Sequence, residues 1–470
     1  MIGKLKNAVT ALAISGLYSI ILVILRTPGI NSLFGDQTMF KSALIIHVNL
    51  SVLVWLLSVT SFIWSLTKIK SEFEPMLVRL SFIGMILMAL SPIYPESGPI
   101  MNNYVPMLEN IIFIIGLVLF GAVIFFSALQ TLICSYMSFN LGNYNSRIMC
   151  IAQITSAATV IAAWVCFILS YIRLDRLSDI VPLDIDYFYE MLFWSGGHLL
   201  QFVYTQILML ILLMLTESLK GGKVIYTNLY EMLLVLNFVL GLFVFVGHYN
   251  YGLEDGEFKE YFTRHMIYTG GIAPTIFILM LLIEIFQSRI KHCPSFISAS
   301  FFSSSFLFLS GGLIGAVISG INVTIPAHYH GSTVGISIAL MGLTYLICFK
   351  KQVQASLSDE SGVISYVYDN IEDLRGPNSS SDDLVGPKHG NNSARNQIYI
   401  ITLGQLLHIT GLALAGGYGV MRKNPGGEIP ASAKIYMGMV GGGGLIAIIG
   451  GLMFVYICAR NLYSFKKRLK

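Results

Sequence analysis

The stretch Ala327-His328-Tyr329-His330-Gly331 opens an apolar run that continues through Cys348, and the backbone it adopts decides how the chain is read. On a strand the two imidazoles share a face. On a helix, at about 100° per residue, they point roughly 200° apart. A helical pair therefore cannot readily chelate one ion together, but each ring can serve a separate centre on its own flank, for instance as axial ligand to a haem iron. Taken alone, the pair reads equally well as two hydrogen-bonded histidines at the end of a membrane helix.

The surrounding chain makes the helix the expectation. Of 470 residues, 55% are hydrophobic and only 11% charged, where a soluble protein carries about 25% charged residues. Only helix bundles and closed barrels span a bilayer, and continuous apolar runs of about 20 residues specify helices. Twelve such segments are predicted, at about 7–26, 42–66, 77–92, 108–135, 147–172, 188–216, 226–253, 262–286, 295–319, 328–349, 396–420 and 433–458. The fold class is all-α, a polytopic membrane bundle forming a single transmembrane domain over 1–470. Residues 8–25 follow Lys4 and Lys6 but are too long for a signal-peptide core, so they count as the first helix. The stretch 350–395 is rich in Ser, Asp, Asn and Gly and is expected to be a mobile polar loop; His389 within it receives no function.

Charge orients the bundle. The side holding both termini and the even-to-odd connections carries 20 of the 29 Lys and Arg, so both termini are expected in the cytoplasm, across a bacterial-type inner (plasma) membrane. The six cysteines form no CxxC or CxxCH, so neither a disulfide framework nor covalent haem attachment is expected. The net charge of +4 is modest, and a nucleic-acid partner is not expected; membrane lipid is.

At 1.5 Å per residue, His47 lies roughly 8 Å below the outer end of segment two, His198 roughly 15 Å down segment six, and His248 roughly 8 Å from the outer end of segment seven. Segment ten begins outside with His328 and His330. Five histidines thus gather in the outer half of the membrane, where imidazoles are costly and usually mark cofactors or ion paths.

With these residues placed, the chain resembles the catalytic subunit (subunit I) of haem-copper oxidoreductases, a superfamily that includes cytochrome c oxidases and nitric oxide reductases. Leu192-Phe193-Trp194-Ser195-Gly196-Gly197-His198 resembles the helix-six segment presenting the first distal-copper ligand. Gly247-His248 stands where the family has a His-His pair, Ala327-His328-Tyr329-His330 resembles the helix-ten motif, and His47 with Trp55 resembles the helix-two haem segment. Gly416 to Lys423 is similar to the paired basic residues that hold haem propionates. The resemblance covers helices two to twelve.

It implies two haems, one low-spin between His47 and His330 and one high-spin on His328, with His198 and His248 holding copper or non-haem iron opposite. Arg422 and Lys423 would pair with propionates. The implied activity is reduction of O2 to water, alternatively of NO, with cytochrome c or quinol as electron donor and additional oxidase subunits as partners. A further alternative is a haem-bearing, non-catalytic paralogue that lacks the distal metal. The family's second helix-seven histidine is Tyr249 here, so Tyr249 or His265 is the candidate third metal ligand. The cross-linked tyrosine of many oxygen reductases is replaced by Phe202, and the glutamate of nitric oxide reductases is also absent.

Overall fold

The computed structural model describes residues 1–26, 37–67, 71–94, 98–140, 146–288, 293–357, 362–372, 389–421 and 433–462. Among them are twelve helices long and apolar enough to cross a membrane: α1 (Ile2–Leu25), α2 (Thr38–Trp64), α3 (Glu74–Ile93), α4 (Ile111–Ser138), α5 (Arg147–Ser178), α6 (Ile185–Lys220), α7 (Thr227–Asn250), α8 (Gly256–Gln287), α9 (Ser295–Ala316), α10 (Thr324–Cys348), α11 (Gly390–Gly417) and α12 (Lys434–Leu462). Each coincides with one predicted segment. The ends move by a few residues where polar caps extend a helix beyond its apolar stretch. Asp184, for example, starts α6 by accepting hydrogen bonds from the amides of Asp186 and Tyr187, at 2.9 and 3.2 Å. That carboxylate satisfies two otherwise unpaired N–H groups. At the other end Gly221, at φ 67°, takes the left-handed conformation that closes the helix.

Helix α6 is the axis of the bundle. Every residue from Ser195 to Leu219 except Gln201 is buried. Around it, α9 and α10 approach closely because glycine faces glycine: a Cβ on Gly311 would fall 2.3 Å from the Ser332 amide, and one on Gly331 would fall 2.7 Å from Gly311 Cα. Gly404 and Gly443 do the same for α11 and α12, a Cβ on the first meeting the Ala447 amide at 2.4 Å. Small residues let backbones touch in a medium where apolar burial alone drives little association.

Two helices depart from regular α geometry beside histidines. Asn49–Val54 of α2 is a π turn that begins two residues after His47, and Met266–Gly270 of α8 is another directly after His265. Helix α7, expected to be continuous, is interrupted at Phe243 between Thr227–Leu242 and Val244–Asn250. A two-stranded antiparallel hairpin, β1 (Gly98–Ile100) and β2 (Met107–Glu109), connects α3 to α4. Its tip is set by Asn102, whose side-chain Oδ1 accepts from the amides of Tyr104 and Val105 at 3.1 and 2.8 Å, and Asn49 of α2 donates from Nδ2 to the Pro106 carbonyl at 2.7 Å.

The expectation of one mobile polar loop over 350–395 needs correction. Val363–Glu372 forms a helix whose Val363, Ile364, Val367 and Ile371 are buried. The Tyr366 hydroxyl donates to the Leu66 carbonyl at 2.8 Å, and the Ile364 amide donates to Glu217 at 3.1 Å. Four apolar residues on one helical face were diluted by the polar sequence on either side.

Candidate cofactor site

One cavity of about 2730 Å³ runs through the bundle and is lined by His47, His198, His328, His330 and His408. Ordinary small-molecule sites occupy roughly 300–1,000 Å³, so this space suits more than one large prosthetic group.

The helical turn at 328–330 sends the two rings to different neighbours. His328 Nδ1 donates to the Gly311 carbonyl of α9 at 2.7 Å, and Gly315 gives the ring room, since a Cβ there would lie 2.5 Å from Nδ1. His330 Nδ1 donates to the Pro326 carbonyl at 2.8 Å, and its ring packs on His408 of α11 with centroids 4.9 Å apart. His408 is in turn held by the Val440 carbonyl at 2.9 Å. Across the cavity wall, His47 Nδ1 donates to the Ser15 carbonyl at 3.1 Å, while the Ser15 hydroxyl donates back to the His47 carbonyl at 3.0 Å. With the proton fixed on Nδ1 by a carbonyl, Nε2 is the lone-pair nitrogen. This second-sphere bonding orients a metal-ligating histidine, and imidazoles so held are suited to binding haem iron.

Glycines shape the rest of the wall. Gly16 of α1 and Gly438, Gly441 and Gly442 of α12 line the cavity, and a Cβ on any of them would meet nothing within 4 Å. Gly443, one position on, faces the α11 backbone instead, a Cβ there falling 2.5 Å from the His408 amide. One glycine-rich stretch thus closes a helix contact with one face and leaves a flat, side-chain-free surface with the other. A planar macrocycle fits such a surface. The two π turns contribute Ser51, Val52, Met266, Ile267 and Gly270 to the same cavity, consistent with the concentration of such turns at functional sites.

The remaining histidines are arranged differently. His198 uses both nitrogens: Nδ1 donates to the Trp194 carbonyl at 2.6 Å, and Nε2 lies 2.9 Å from the Tyr104 hydroxyl. His248 Nε2 bonds the Ser195 hydroxyl at 2.9 Å, and its backbone carbonyl accepts from Arg173 at 2.6 Å. Phe262 packs against both rings, with centroids 5.3 Å from His198 and 6.0 Å from His248. His265 donates from Nε2 to the Leu240 carbonyl at 2.8 Å and stacks on Phe202. Tyr249 is 90% exposed on the last turn of α7, so the structure does not bring its phenol to the candidate distal site. Among the described residues, no three His, Cys, Asp or Glu side chains converge to hold a metal ion. These residues do not fit a distal metal as they stand. Arg422 and Lys423 lie outside the described residues.

Ser15, Tyr104, Ser195, Phe262 and the glycine face were missed in the sequence. A signal for two of them was there. The glycine before each distal histidine admits aromatic rings: a Cβ on Gly197 would fall 2.3 Å from Tyr104, and one on Gly247 would fall 2.6 Å from Tyr261 and 2.9 Å from Phe262.

Twelve helices around a histidine-lined cavity with a glycine floor define a membrane protein built to enclose large prosthetic groups. The family model for "Cytochrome C and Quinol oxidase polypeptide I" matches residues 5–453, reaching into α1, beyond the extent of the motifs quoted above. The chain belongs to this haem-copper oxidase subunit I family, whose members bind haems and a copper or iron site, work with other oxidase subunits, and act as oxidoreductases. It is 39% identical to an uncharacterized protein of Rickettsia prowazekii (strain Madrid E), covering 98% of this chain and 96% of that one. It is 26% identical to an uncharacterized protein of Aquifex aeolicus (strain VF5), over 72% of this chain and 82% of the other.

Proposed function

We propose that this chain is the haem-bearing subunit of a respiratory-type terminal oxidoreductase that reduces O2 to water. His47 and His330 would hold a low-spin haem, and His328 would hold a second haem that binds the gas. The observation supporting this reading is the parting of the two α10 rings, one toward α9 and one toward α11, each with Nδ1 tied to a carbonyl. Bound haems would supply one-electron chemistry and an open coordination position for a diatomic gas. The chain's own residues hold ring orientation through Ser15, Gly311 and Pro326, and line the same cavity with Trp194, Phe202 and Phe308. Thr205 on that wall hydrogen-bonds Asn237 at 3.3 Å, and Asn237 bonds Gln206 at 2.8 Å, which offers protons a polar route out of an apolar lining. Electrons would come from cytochrome c or a quinol, and Arg422 and Lys423 would neutralise propionates. The Lys-rich side, with both termini, would face the cytoplasm.

Nitric oxide reduction is the second reading, and Phe202 favours it. Its fully buried ring stacks on His265 and brings no phenol to donate an electron and a proton. A two-electron reduction needs that donor less than a four-electron one.

The test is a dithionite-reduced spectrum of purified protein with and without CO, followed by turnover with each gas. Separate low-spin and CO-binding high-spin signals are expected, with O2 consumed faster than NO. Faster NO turnover selects the second reading. Haem signals without turnover of either gas select the non-catalytic paralogue, and absence of both haem signals discards the proposal.

A further inference from the structure

We propose that Phe262 and Tyr104 occupy the ground a distal metal would take, so that this chain carries two haems and no third metal and faces its bound gas with a hydrogen-bonded phenol–imidazole pair. The inference rests on the two-haem reading above and concerns the opposite side of the same pocket.

Three observations carry it. The phenol comes first. Tyr104, Trp194 and His198 line the cavity that also contains His328. A metal bound at His198 Nε2 would displace the Tyr104 hydroxyl that sits 2.9 Å from it. The hairpin tip is not free to withdraw, because Asn102 and Asn49 fix it from either side. The second observation is the phenyl ring. His248 does not line the cavity; Phe262, itself fully buried, lies against the rings of both His198 and His248. Gly197 leaves room for Tyr104, and Gly247 for Tyr261 and Phe262; a side chain at either glycine would collide with these rings. The third is the donor count. A catalytic metal site takes three protein ligands with one position left open, and the described residues offer no such group.

Part of the bonding pattern of ligands persists here, complete only in His265. His198 donates through Nδ1 to Trp194, and His265 donates through Nε2 to Leu240. In His248 and His265 the Nδ1 atoms are buried without a hydrogen-bond partner. A carbonyl on one nitrogen and a lone pair on the other is how second-sphere groups prepare imidazole for metal. The site is therefore closed by Phe262 and Tyr104 while its donors persist.

Metal analysis of the intact, haem-loaded protein tests this directly, by mass spectrometry for iron, copper and zinc and by electron paramagnetic resonance of the ferric state. The wild type should hold two irons per chain and no stoichiometric third metal, with a full-intensity high-spin haem resonance uncoupled to any neighbour. After incubation with copper(II) or zinc(II) and desalting, wild type should retain neither, whereas Tyr104→Ala/Phe262→Ala should retain one equivalent. That equivalent should be lost again when His198→Ala is added to the double variant. A third metal in the wild type, or a weakened high-spin resonance that recovers in His198→Ala, overturns the inference but leaves the two-haem reading intact. Failure of Tyr104→Ala/Phe262→Ala to take up metal overturns the assignment of these two side chains as the blocking groups. A chain with no iron overturns the two-haem reading itself.

Discussion

The two sets of histidines in this bundle solve opposite problems. His47, His328 and His330 each spend Nδ1 on a backbone carbonyl and line a cavity whose wall is partly glycine. His198 and His248 have Nε2 bonded to hydroxyls, and a phenyl ring lies against both. The contrast shows that a histidine's surroundings, rather than its presence at a family position, determine whether it can ligate. Glycine acts in both sets, but in one it opens space for a cofactor and in the other it admits an aromatic side chain.

The sharpest way to break the contrast is to remove one histidine from each set. His328→Ala should abolish the CO-binding species while leaving the low-spin spectrum, and His198→Ala should retain both. Equal loss in the two variants, read by CO-difference spectroscopy, would mean the sets are not functionally distinct. Next in size is the glycine floor. Gly442→Leu places its side chain in open space, so the chain should still insert and fold but lose most of its haem per polypeptide, as measured by pyridine haemochrome. Gly443→Leu, whose side chain would drive into the α11 backbone, should instead lower the yield of folded protein. The smallest effect is expected from single hydroxyls. Tyr104→Phe removes one hydrogen bond to His198, worth about 1 kcal/mol, and should lower thermal stability slightly while leaving iron content unchanged. Ser15→Ala should cost a similar amount of stability but broaden the low-spin haem resonance, because His47 loses one of the groups that fix its orientation.

The fold was legible because the membrane writes it plainly: spans need about 20 apolar residues, and the chain supplies twelve. The divergence of His328 and His330 followed from helical period alone, and the structure sets those rings against α9 and α11 respectively. What periodicity cannot carry is contact between distant segments. Tyr104 meets His198 from a hairpin 94 residues earlier in the chain, and Ser15 lies 32 residues before His47 on a different helix. The π turns at 49–54 and 266–270 have no compositional mark. Tyr249 was a candidate ligand by position, but position in a motif does not state which way the last turn of α7 faces. The helix at Val363–Glu372 was hidden because composition averages over a window longer than the element.

The glycine stretch of α12 has a consequence for how the protein is assembled. Each glycine in a helix interior costs about 1 kcal/mol relative to alanine, and Gly438, Gly441, Gly442, Gly444 and Gly451 all face the cavity with little or no protein surface to lean on. If the proposed porphyrin lies against that strip, its contacts would offset part of this cost. Iron supply would then govern maturation: cells starved of haem should accumulate a chain whose last membrane helix is the first segment lost to quality-control proteases.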